Sequence, residues 1–118
     1  MASQGWCIGM AAEDVAVEWL RERGYFIVER NWRSGSYEID IIATKWNELH
    51  FVEVKSRRSG GWQSAEEAMT PHKLASITKC ARHYLASHVT SLEPIFDLIA
   101  VDVDDKGAFV VRMIPNII

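Results

Sequence analysis

Only 2 cysteines and 3 prolines occur among the 118 residues, and each scarcity removes a class of protein. Cys7 and Cys80 stand alone, with neither the density of a disulfide framework nor the spacing of a metal site, a usage that suits a reducing cytoplasm. So few prolines leave no linker or low-complexity stretch. No apolar run approaches the ~18 uninterrupted residues of a membrane span. Met1–Ala12 lacks the basic start and apolar stretch of a signal peptide. A cytoplasmic protein with no membrane partner is expected. The histidines at 50, 72, 83 and 88 form no zinc spacing, and neither a Ser-His-Asp set nor a glycine-rich phosphate loop is present. An excess of positive charge is missing too, the net charge being −3. That argues mildly against a nucleic-acid partner. Its distribution softens the objection, because every one of the 13 Lys and Arg except Lys106 and Arg112 falls within residues 21–82.

What remains is an ordinary globular chain, 48% hydrophobic and 25% charged, long enough for one domain with a real core. Apolar spacing of three and four residues predicts a helix over Gly9–Arg23, with Gly24 as its C-cap. Tyr25–Trp32 reads as a strand, and Tyr37–Thr44 with Leu49–Ser56 as a hairpin. Arg57–Met69 is a long connection containing Ser59-Gly60-Gly61. Thr70-Pro71 opens a second helix to about Ser87, threonine as N-cap and proline at the first helical position. Strands at Ile95–Val103 and Ala108–Ile114 meet through a turn at Lys106-Gly107. The order is α-β-β-β-α-β-β. Both faces of the middle strands are apolar, which predicts an α/β fold: a central mixed sheet with a helix on each face.

The hairpin carries the chemistry. Period-two alternation puts Glu38, Asp40 and Ile42 on one face of its first strand and Ile39, Ile41 and Ala43 on the other. On its second strand Phe51, Glu53 and Lys55 oppose Val52 and Val54. With Trp46-Asn47 as a two-residue loop, Lys45 pairs with Glu48, Ile42 with Phe51, Asp40 with Glu53 and Glu38 with Lys55. Opposed side chains have Cβ atoms about 4.5–5.5 Å apart, where like charges repel. Asp40 facing Glu53 is therefore costly as structure and sensible as a site for a hard divalent cation, Mg²⁺ or Mn²⁺, with the Val54 carbonyl as a further oxygen. The structural alternative pairs Asp40 with Lys55 and Glu53 with an arginine, and buried ion pairs stabilise poorly.

Lys55 shares the face of Glu53. It can orient or deprotonate an attacking water and offset phosphate charge, or it can be the counter-ion of Glu38. Glu13 lies beside the apolar face of the first helix, as a site residue or as an acid favoured by the helix dipole. Arg57 and Arg58 open a basic loop that can grip phosphate or merely be solvated. Lys73 lies on the line of Ile77, Cys80 and Tyr84 and so reaches toward the site. Trp32, Trp46 and Trp62 fall in turns or loops where base stacking competes with ordinary packing.

These blocks carry a resemblance. Glu13-Asp14-Val15-Ala16, Gly24-Tyr25, Arg30-Asn31-Trp32-Arg33, Glu38-Ile39-Asp40-Ile41-Ile42-Ala43, Phe51-Val52-Glu53-Val54-Lys55-Ser56-Arg57, Glu67-Ala68, Lys73 and Phe96-Asp97-Leu98-Ile99-Ala100-Val101 resemble the YraN-like family. Those small bacterial proteins are related to archaeal Holliday-junction resolvases in the PD-(D/E)XK nuclease superfamily. The resemblance covers about Gly9 to Val103. It implies a restriction-endonuclease-like core, with Asp40, Glu53 and Lys55 as the D…E-x-K set and Glu13 completing the metal site. It departs from the family pattern at Ala12 and Tyr37, where the family often has glycine; Tyr37 would narrow the site. The expectation is a Mg²⁺- or Mn²⁺-dependent endonuclease acting on DNA, branched or otherwise non-B-form. Two rivals stand beside it. One is a binding module that grips nucleic acid through Arg57, Arg58, Lys73 and Lys79 without cutting. The other is a partner-docking protein, or a homodimer, whose interface is the apolar tail Ile114–Ile118.

Overall fold

The first helix forms because Ala12, Ala16, Val17 and Leu20 line one side of it and are buried. It stops because the chain turns left-handed at Gly24, φ 88°. There the Tyr25 N–H bonds the Leu20 carbonyl and the Gly24 N–H bonds that of Arg21, both at 3.0 Å, a Schellman closure that only glycine accepts without strain. A computed structural model describes residues 8–58 and 66–118. Its elements are α1 (Ile8–Glu22), β1 (Phe26–Ser34), β2 (Tyr37–Lys45), β3 (Glu48–Arg58), α2 (Pro71–Ser87), β4 (Glu93–Val103) and β5 (Phe109–Ile114). Helix α2 starts where the sequence predicts: Thr70 Oγ1 accepts the Lys73 N–H at 3.2 Å and Pro71 takes the first turn.

The strands form one sheet in the order β1-β2-β3-β4-β5. Only β3 and β4 are parallel, and α2 is the crossover that parallel pairing requires. Helix α1 covers one face, where Ile41, Ala43, Val52, Ile99 and Val101 bury against Ala16 and Leu20. Helix α2 covers the other, where Ile39, Ile42, Leu49 and Phe51 bury against Cys80, Ala81 and Tyr84. The architecture is thus the expected α/β sheet with a helix on each face. Among the described residues no helix is long and apolar enough to cross a membrane.

Four local expectations change. The β2–β3 ladder has the anticipated register, Lys45 with Glu48 and Ile42 with Phe51, but it closes at Ile41–Val52. Asp40 with Glu53 and Glu38 with Lys55 therefore lie beyond the paired region. Ile39 does not share a face with Ile41 and Ala43; it packs with Ile42 on the α2 side. Arg57 and Arg58 extend β3 instead of opening a loop, because parallel pairing with Asp102 and Val103 carries the strand further. Trp32 lies within β1, edge-on to Tyr84 with ring centroids 5.1 Å apart, so it is committed to packing; Trp46, at the hairpin turn, is 82% exposed. The tail also folds back: the Ile117 N–H bonds the Phe96 carbonyl at 2.9 Å and its side chain packs on Leu98 and Ala100. Cys80 is a buried free thiol. Cys7, Ser59-Gly60-Gly61, Trp62 and the Arg58 side chain lie outside the described residues.

Candidate active site

Asp40 stands where β2 changes faces. Ile39 before it belongs to the α2 cluster and Ile41 after it to the α1 cluster, so strict alternation breaks at this residue. Its carboxylate meets β3 just past the last ladder pair, where Oδ2 accepts the Val54 N–H at 2.8 Å. Strand β1 carries a left-handed residue at the same level. Asn31, between the pairs Arg30–Ile41 and Trp32–Ile39, has φ 54°. Asparagine is among the few side chains that tolerate that left-handed conformation.

From this position Asn31 Nδ2 donates to Glu13 Oε1 at 2.8 Å, and Arg30 Nη2 donates to the same oxygen at 3.3 Å and to Asp14 Oδ1 at 2.7 Å. Glu13 is thus fastened to β1. Its charge is still felt at Asp40.

Glu53 is buried on β3. Its Oε2 receives two ammonium groups, Lys55 Nζ at 3.4 Å from the same strand and Lys73 Nζ at 3.2 Å from α2. The Thr70–Pro71 start places Lys73 in the first turn of α2, in line with buried Ile77, Cys80 and Tyr84. Glu38 is bridged by Arg33 at 3.3 Å, so Lys55 is not its counter-ion.

The electrostatics are asymmetric. Burial, then the charge of Glu53, push the Asp40 carboxyl up to about 7; the Val54 N–H opposes the shift, and Glu13 and Glu38 add to it. Asp40 therefore sits where burial first, and neighbouring carboxylates second, disfavour its charge, a condition that a bound cation would relieve. Asp40 and Glu53 could offer carboxylate oxygens, the donor type that hard ions such as Mg²⁺ or Mn²⁺ prefer. Among the described residues no group of three His, Cys, Asp or Glu side chains is disposed to hold a metal ion, so the acidic set here is a pair with Glu13 fastened nearby.

The remaining candidates lie elsewhere. Arg57 Nε bonds Asp102 Oδ1 across β3–β4 at 3.1 Å. Lys79 is exposed on α2, its Nζ 5.3 Å from the ring centroid of Tyr37.

Sequence reasoning passed over Asn31 and Arg30 as holders of Glu13. A strand-disfavoured asparagine between Arg30 and Trp32 was the available signal. It also passed over a buried cluster on the α1 face. There His50 Nδ1 meets Asp97 Oδ2 at 2.5 Å, and Nε2 meets Glu48 Oε1 at 2.9 Å. Asp97 Oδ1 accepts the Asn116 N–H at 3.1 Å. A lone acid inside the apolar run Ile95–Val101 was the signal for a buried partner.

Fold and site together define a class: an α/β protein in which two carboxylates and a lysine from the middle of its central strands meet a second lysine from the crossover helix. A profile of the uncharacterised protein family UPF0102 matches residues 12–101, and the chain belongs to that family. UPF0102 proteins similar to it include one from Syntrophomonas wolfei, 39% identical over 99 residues, spanning 83% of this chain and 86% of the relative. Another, from Flavobacterium psychrophilum, is 43% identical over 94 residues, 80% of this chain and 79% of the relative. A third, from Kineococcus radiotolerans, is 38% identical over 112 residues, 93% and 92% respectively.

Proposed function

We propose that this protein is a metal-dependent nuclease that hydrolyses phosphodiester bonds in DNA, with branched or otherwise structured DNA as its substrate class. The observation that carries the reading is the meeting of Asp40, Glu53, Lys55 and Lys73 beside the middle of β3, with the Asp40 carboxyl raised to about 7. Both lysines reach Glu53, and among the described residues no cation is paired with Asp40. The YraN-like resemblance, with its link to junction resolvases, points the same way.

Asp40 and Glu53 would hold Mg²⁺ or Mn²⁺, assisted by the Val54 carbonyl. Bound there, the ion would polarise the phosphate and make water a competent nucleophile near neutral pH. Glu13, fixed by Asn31 and Arg30, adds negative charge beside Asp40 and so favours a cation. Lys55 orients the attacking water or offsets charge on the phosphate. Lys73, shared between Glu53 and solvent, is placed to accept phosphate contact when Glu53 turns to the ion. Arg57 and Lys79 would add positive charge along β3 and α2, and a homodimer would present two such sites to a branched substrate.

A second reading, a DNA-binding module without catalysis, draws on the two lysines that already neutralise Glu53. Metal binding separates the two. Millimolar Mg²⁺ or Mn²⁺ is expected to raise the melting temperature of the wild type at pH 8, since a ligand of the folded state alone stabilises it by mass action. Glu53→Gln should remove most of that rise. A wild type indifferent to both ions would favour the binding module.

A further inference from the structure

A cleft of about 580 Å³ opens between the β1–β2 turn and the first turns of α2, lined by Ser36, Tyr37, Glu38, His72, Lys73 and Ser76, with Ile77 as its apolar floor. Its volume lies within the roughly 300–1,000 Å³ of small-ligand sites. The cleft adjoins the carboxylate site through Lys73. Lys73 lines it and reaches Glu53 at 3.2 Å, and Glu38 lines it two residues before Asp40.

Its lining has three chemistries side by side. Tyr37 offers an aromatic wall whose ring is already positioned, with the Lys79 ammonium 5.3 Å from its centroid and the His83 ring edge-on at 6.1 Å. Glu38 is an acceptor, and Ser36 and Ser76 carry hydroxyls. Lys73 supplies an ammonium group on the side nearer Glu53, and His72 adds ring nitrogens for hydrogen bonding. An aromatic face, a carboxylate acceptor and cationic groups in one cleft match a base, its exocyclic amino group and its phosphate.

We propose that this cleft seats one unpaired nucleotide flanking the phosphate at the Asp40–Glu53 site, the base stacked on Tyr37. The proposal rests on the nuclease reading and deepens it by naming the substrate feature recognised. A base inside a duplex has both faces covered by its neighbours, so only an unstacked nucleotide can present one to Tyr37. Flaps, gaps and junctions supply such a nucleotide; continuous duplex does not. Tyr37 then determines specificity.

The test measures binding in Ca²⁺ to a blunt duplex and to the same duplex bearing a one-nucleotide flap of 2-aminopurine, with thymidine monophosphate as a third ligand. Wild type should bind the flap more tightly than the duplex and quench the fluorescent base. Tyr37→Ala should weaken flap binding about 5- to 150-fold, the range of one base–aromatic stack, without changing duplex affinity, and Tyr37→Phe should retain it. Ser76→Trp, which fills the cleft from α2, should reproduce the loss and decides the matter if Tyr37→Ala does not fold. Equal losses on both DNAs, no loss in either variant, or a mononucleotide bound as tightly as the flap would overturn the assignment. Cleavage of the flap in Mg²⁺ is scored separately. Tyr37-dependent binding without cleavage removes the nuclease reading and leaves the cleft; cleavage indifferent to Tyr37 does the reverse.

Discussion

Asp40→Asn is expected to lose cleavage and gain stability in the same protein. Burial and the charge of Glu53 raise the Asp40 carboxyl from 3.8 to about 7, so the folded chain holds a proton that the unfolded chain has released. The sign follows from linkage: stability from this group is fully present below about pH 4 and is lost as pH climbs through about 7. At pH 8 the ionised carboxylate costs the fold of the order of 2–4 kcal/mol. The asparagine oxygen keeps the hydrogen bond from the Val54 N–H and carries no charge. Urea unfolding at pH 8 without divalent ions should therefore place the variant above the wild type by that amount, the gap closing toward pH 4. Cleavage should fall at least ~100-fold, since even partners outside the ligand shell cost 10–100-fold when removed. Equal stability at pH 8 would contradict the electrostatic account of the site.

Removing Asp97 is expected to do the opposite. Asp97→Ala should cost about 3–5 kcal/mol, the penalty for leaving one member of a buried ion pair behind. His50 is buried between Asp97 and Glu48, and the Asn116 N–H would lose its acceptor too. Burial alone would lower the His50 pKa; the hydrogen bonds and charges of Asp97 and Glu48 outweigh it, and the net shift is upward. A raised histidine stabilises fully below the unfolded value near ~6.5 and loses that contribution as pH rises through the folded one. Wild type should thus weaken above neutrality from His50 as well as Asp40. Urea unfolding of Asp97→Ala at pH 6 checks the magnitude. A loss below ~1 kcal/mol would mean that the cluster is structurally idle.

Fold was legible in the chain because its signals are local and redundant. Gly24 ends α1, Thr70-Pro71 begins α2, and the register from Lys45–Glu48 to Ile42–Phe51 follows from a two-residue turn. The site was legible as a set of residues and less so as a geometry. Alternation assumes a regular strand, and β2 departs from it at Asp40, so the simple facing pair becomes a carboxylate lodged where the ladder closes, bonded to Val54. Glu13 was visible by its helix position, but its hold by Asn31 needs a left-handed residue in β1 that no periodicity signals. Lys73 was placed toward the site by helical spacing alone. Arg57 was assigned to a loop because serine and glycine follow it; long parallel pairing with β4 overrides that local chemistry. The His50–Asp97 contact joins residues 47 positions apart, and pairing at that separation is written in the topology and not in any segment.

The measurement closest to the central claim is cleavage of single-stranded, duplex, flap and four-way-junction DNA in Mg²⁺ and in Mn²⁺, with Asp40→Asn purified identically. The account predicts products from the wild type on structured DNA, dependent on the ion and absent with the variant. Products of equal intensity from both proteins, or none from a wild type that binds the same DNAs without regard to divalent ions, would contradict it.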